Sequence, residues 1–232
     1  MVCRSSRNND TAAVRSQAAR YAPKKLIRDP KRTKRRILFV ASSEFANKGY
    51  DGARIDEIVR RSKVSKNLIF YYFDSKEELF MAVLELAFVN LRRQQDTHNL
   101  NDMPPEEAIK KLIVDLFHYW QKSRAFVGLL TSENFHRAEH IKKSKFAPGA
   151  FDRLIGSLSA VLEAGVKQGI FRDGVDPVNL CISILGLSYQ YFSDQYTLSF
   201  LLDKDLTSKE ALESRLKHTE DIILGYLRNA CR

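Results

Sequence analysis

At 232 residues, with 44% hydrophobic and 28% charged side chains, the chain suits one large globular domain or two small ones. No apolar run approaches the ~20 residues of a helical membrane span, which excludes that class. The formal net charge of +10 belongs to one end: residues 1–36 hold 12 Lys/Arg against 2 Asp/Glu, and the rest is balanced. A basic arm of this kind is an electrostatic footprint for nucleic acid, its bland alternative being a solvated tail. Cys3, Cys181 and Cys231 share no metal-like spacing and cannot all pair, which fits a reducing compartment.

Residues 1–29 show no sustained period and read as a basic, disordered arm. Lys31, Arg32, Lys34, Arg35 and Arg36 then lead into a first helix, opened by Asp29-Pro30 and closed by Gly49. In Ile55–Phe73 two short helices meet at a tight turn. Ile55, Ile58, Val59 and Ser62 give the first a buried stripe, Val64 plugs the angle, and Ser65 caps the second. Ile69, Phe70 and Phe73 point inward, leaving Lys66, Asn67, Leu68, Tyr71 and Tyr72 on open faces. A helix-turn-helix showing cation, amide, methyl and phenol suits a DNA major groove. Ser75-x-x-Glu78 is a capping box for a fourth helix, with Leu79, Val83, Leu86, Phe80, Ala87 and Leu91 apolar and Lys76 beside its positive end.

Beyond the polar stretch 99–105, Ile109, Leu112, Ile113, Leu116, Phe117 and Trp120 form the stripe of a fifth helix. A sixth is expected over Ala125–His140, a seventh over Phe151–Gln168, and an eighth from Asp176-Pro177. The eighth is apolar on nearly every side, which calls for cover from a second subunit. The ninth opens at the capping box Thr207-x-x-Glu210. No strand pattern is present. The fold class is all-α with about nine helices: a basic arm (1–29), a helix-turn-helix domain (30–78) and a helical ligand-binding and dimerisation domain (79–232).

His118, Trp120, Phe126, Phe135, Tyr189 and Phe192 are candidates for an effector pocket, set against a reading as plain core. Glu133-x-x-His136-x-x-x-His140 places three potential metal ligands on about one helical face. A di-iron bundle needs a second Glu-x-x-His, and the chain has no second copy, so a solvated charged face is preferred and no metal or cofactor is assigned.

The run from Arg36 to Leu84 resembles the DNA-binding domain of TetR-family (TetR/AcrR-type) transcriptional regulators, at Ile37, Ala41, Phe45 and Gly49, at Val64, Ser65, Lys66, Tyr71 and Phe73, and at Ser75–Leu79. Three positions depart from the family pattern. Ala53 replaces a capping Thr or Ser, for which Asp51 would substitute. Ser62-Lys63 replaces Ala-Gly, and Phe70 replaces a phosphate-binding Tyr.

The resemblance implies a homodimer joined through its last two helices, a palindromic double-stranded operator and a small-molecule effector that releases it, usually a repressor. Lys66, Asn67 and Leu68 would read base edges, with Arg54, Ser65, Tyr71, Tyr72 and Lys76 completing the DNA face, mostly at phosphates. Effector binding would shift a two-state equilibrium through the fourth helix. The bacterial family outweighs the transit-peptide look of the Arg/Ser-rich start and implies a cytoplasmic, nucleoid-associated protein that is not an enzyme. The competing readings are an all-α metal-dependent enzyme using Glu133, His136 and His140, and a small-molecule-binding dimer without DNA binding.

If the arm binds DNA, deleting residues 1–28 lowers both duplex affinity and its salt dependence, measured by titration at several salt concentrations. Unchanged binding returns the arm to a solvated tail.

Overall fold

The computed structural model describes residues 29–95, 100–144 and 146–228, so the arm contacts expected for residues 1–28 lie outside the described part. Contacts divide the chain into two units, residues 1–33 and 34–232. In the first, Asp29 Oδ1 accepts from the backbone N–H of Lys31 at 2.9 Å and of Arg32 at 3.2 Å, the N-cap expected of Asp29-Pro30.

Nine α-helices, with short 3-10 helices at Leu100–Asp102 and Ile141–Lys143, make up the helical structure among the described residues: α1 (Pro30–Gly52), α2 (Ile55–Ser62), α3 (Lys66–Phe73), α4 (Lys76–Gln95), α5 (Pro105–Lys122), α6 (Arg124–Phe135), α7 (Asp152–Lys167), α8 (Pro177–Leu201) and α9 (Lys209–Leu227). Gly49, at φ 67° and ψ 177°, interrupts α1, so the regular helix stops where the sequence places its end.

In the second unit, Ile37, Ala41 and Phe45 of α1 share one buried cluster with Ile58 of α2, Ile69 and Phe73 of α3, and Leu79 and Phe80 of α4. That cluster continues through Phe88 and Leu91 of α4 to Trp120, Phe126 and Phe192. Helix α4 therefore runs from the three-helix head into the body as one packed rod. A second cluster, with Leu112, Ile113, Leu158, Leu162, Leu180, Ile184 and Leu224, joins α5, α7, α8 and α9.

Some local expectations change. Helix α6 ends at Phe135, five residues before the expected end at His140, because Arg137 and Ala138 adopt φ 54° and 62°. Glu133 holds that turn: its Oε1 accepts from the N–H of His140 at 2.9 Å and of Ile141 at 2.7 Å. Helix α9 is capped by Ser208, whose hydroxyl accepts from Ala211 N at 3.2 Å; Thr207 bonds instead to Asp205. Asp51 does not cap α2, whose N-cap position is Arg54. In α4, Leu86 is 40% exposed and not part of the core stripe.

Lys63 lies in the left-handed region at φ 52°, ψ 41° between α2 and α3. A side chain there costs about 1 kcal/mol relative to glycine. Lys63→Gly is therefore expected to raise the melting temperature by a few degrees in a thermal unfolding scan; a drop would refute strain in the turn.

Candidate nucleic-acid interface

Helix α3 has only eight residues, too few to be stable alone, and is held by its buried edge of Ile69 and Phe73. Ser65 starts it, accepting from Leu68 N at 3.3 Å. Lys66, Asn67 and Tyr71 are exposed, Tyr71 by 77%; Leu68, Phe70 and Tyr72 are half-buried. The rings of Tyr71 and Tyr72 meet edge-on at 5.4 Å. Lys66 Nζ is 2.9 Å from Asp56 Oδ1 of α2, a partner the sequence reading missed. An exposed pair of this kind contributes less than about 1 kcal/mol and is readily exchanged for a base or phosphate.

Arg54 is exposed at the start of α2. Its backbone N–H donates to the buried Glu44 at 3.4 Å, and Glu44 also meets Arg61 at 3.5 Å, so one carboxylate positions both ends of α2. Lys76 turns back onto α1, its ammonium donating to the Asp51 carbonyl at 3.2 Å and standing 4.9 Å from the Tyr50 ring centre. Burial pushes its pKa below the usual lysine value. A phosphate would have to draw it away from that carbonyl.

The six effector-pocket candidates do not converge. Trp120, Phe126 and Phe192 are core, Tyr189 is half-buried, and His118 and Phe135 are exposed, Phe135 by 82%. A cleft of about 630 Å³ takes in only Phe135 and Phe192 of that set. Its other walls come from residues 46–51 at the end of α1, from α6 and from α8. Sequence reasoning missed Tyr50, Asp51 and Arg124 there. The one available signal was Gly128: a Cβ at that position would lie 2.5 Å from the Ala46 carbonyl oxygen, so α6 meets α1 backbone to backbone.

The Glu133, His136 and His140 set is neither a shared helical face nor the solvated charged face expected, since Glu133 and His140 are buried. His136 and His140 follow the end of α6, so the three residues do not share a helical face. Glu133 Oε2 is 2.9 Å from His140 Nδ1, while its Oε1 is occupied by two backbone donors. Among the described residues no group of three His, Cys, Asp or Glu is arranged to hold a metal ion. Cys181 is buried, which raises its thiol pKa to about 11.

An exposed recognition-type helix packed against two others defines a helix-turn-helix protein. Two family profiles match the chain: "Bacterial regulatory proteins, tetR family" over residues 37–83, and "Tetracyclin repressor-like, C-terminal domain" over 105–223. The transcriptional repressor NicS of Pseudomonas putida is 34% identical over 197 residues, covering 85% of this chain and 93% of NicS. The regulator RutR of Escherichia coli is 28% identical, covering 69% of this chain and 74% of RutR. Among solved structures, a regulator from Saccharomonospora viridis in complex with choline has a TM-score of 0.67 at 22% identity, covering 86% of this chain and all of that one. A TetR regulator from Chloroflexus aurantiacus has a TM-score of 0.65 at 18% identity, covering 88% of this chain; these two establish likeness of fold. The chain belongs to the TetR family, and is a ligand-responsive, DNA-binding transcriptional regulator of the repressor type.

Proposed function

We propose that residues 30–78 form the DNA-reading head and residues 79–232 the effector-binding and dimerisation part of a homodimer that occupies a palindromic operator. The observation that carries this reading is the exposed edge Lys66–Asn67–Tyr71 on a helix rigidly seated by Ile69 and Phe73. Lys66 and Asn67 suit guanine and adenine edges, and Leu68 a thymine methyl. Arg54, Tyr71, Tyr72 and Lys76 set the register on phosphates, and Ser65 holds the start of the helix among them. Two-fold pairing would place the two heads in major grooves about one helical turn apart.

The dimer face is proposed on the outer side of α8 and α9, where Val178 (45%), Ile182 (60%), Ile222 (41%) and Tyr226 (46%) are exposed. An apolar patch of this kind marks an interface. An effector would release the operator by changing the packing of α4 between head and body. No helix among the described residues is long and apolar enough to cross a membrane, which is compatible with a cytoplasmic, nucleoid-associated regulator.

Duplex selection from a random pool tests the operator reading. Asn67→Ala should relax preference at one or two base positions. Arg54→Ala should weaken all duplexes alike and reduce the salt slope by about one unit. Uniform loss with Asn67→Ala would remove its base-reading role. Ile182→Asp should give a monomer by light scattering and lower operator affinity at least about tenfold, since one head then binds alone. A dimer that persists would place the interface elsewhere.

A further inference from the structure

The cleft between the end of α1, α6 and α8 has the size of a small-molecule site. Its lining carries two cations, Lys48 and Arg124, against one carboxylate, Asp51, which His136 Nε2 already engages at 3.3 Å. The Arg124 guanidinium lies 5.2 Å over the Phe192 ring, and no carboxylate pairs with it among the described residues. At the same cleft Phe135 is 82% and Tyr196 71% exposed, two large rings left in water. An uncompensated guanidinium beside uncovered aromatic faces is complementary to a flat molecule bearing a negative group.

We infer that this cleft is the effector site and that it takes a small aromatic carboxylate, with the carboxylate on Arg124 and the ring against Tyr196, one helical turn from the Phe192 ring that Arg124 covers. This rests on the reading of the protein as a regulator released by its ligand. The cleft adjoins the seam that holds α1 to α6: the Gly128–Ala46 approach, and the Tyr50 N–H donating to Ser132 Oγ at 3.0 Å. A ligand there bears on the first helix of the head directly, in addition to any path through α4.

The test is calorimetric titration of the full chain, without DNA, with benzoate, salicylate and phenylacetate, and with benzamide and benzylamine as neutral and cationic controls. At least one carboxylate should bind about tenfold or more tighter than both controls, and Arg124→Gln should remove about tenfold of that affinity. The same carboxylate should lower affinity for the selected duplex by about tenfold. Binding of benzylamine or benzamide as tightly as the carboxylates overturns the inference, as do absence of carboxylate binding and indifference to Arg124→Gln. Duplex binding without ligand is measured separately, so its presence beside a failed titration sinks the ligand assignment alone, and its absence sinks the regulator reading.

Discussion

Glu133 is a buried carboxylate on which the seam between head and body depends. It accepts from two backbone N–H groups and faces His140 Nδ1, with 3% of its own surface exposed. Leaving a buried polar group of this kind without its hydrogen-bond partner costs about 1–3 kcal/mol. That stabilisation keeps Arg137 and Ala138 in left-handed backbone, a conformation that persists only when its surroundings over-determine it. The turn then presents His140 to Tyr50 at 4.4 Å and to Phe80 at 4.9 Å, and His136 to Asp51. The end of α1 and the start of α4 are thus gripped by the same few side chains. Lys143, paired with Glu77, adds a further tie between this turn and α4.

In the proposed mechanism this seam is what lets the body act on the head. Helices α2 and α3 are too short to fold alone, and their positions are inherited from α1 and α4 through Ile37, Ile58, Ile69, Phe73 and Leu79. A change in how α1 or α4 rests on the body therefore moves the recognition edge as a unit. The proposed recognition edge is loosely tied: Lys66 pairs with the exposed Asp56, a bond weak enough to be exchanged for one to DNA. Rigid backbone with exchangeable polar contacts is what sequence reading at a groove requires.

Two groups among the exposed apolar residues of the body suit two different proposed uses. Val178, Ile182, Ile222 and Tyr226 lie on the long helices α8 and α9, and Arg172 stacks over Tyr226 at 3.8 Å. Phe135 and Tyr196 line a concave cleft that also takes in Arg124. A broad apolar helix face suits another protein surface, and a cleft with one guanidinium suits a small ligand. The same helix α8 contributes to both, which brings the cleft and the proposed dimer face onto one element.

What the sequence determined was local. Asp29, Ser65, Ser75 and Asp176 cap the helices they precede, Gly49 ends the regular part of α1, and the 3.6-residue period picked out Ile58, Ile69, Phe117 and Trp120 as buried. These features depend on groups within a few residues of one another, so they are written in short windows. Tertiary structure alone decided that α6 stops at Phe135, that Lys76 folds onto Asp51, and that Tyr50 and Arg124 share a cleft while His118 faces water. Periodicity shows which face of a helix is covered but not what covers it. Those choices were made by Glu133, Gly128 and the end of α1, which meet only after the chain has packed.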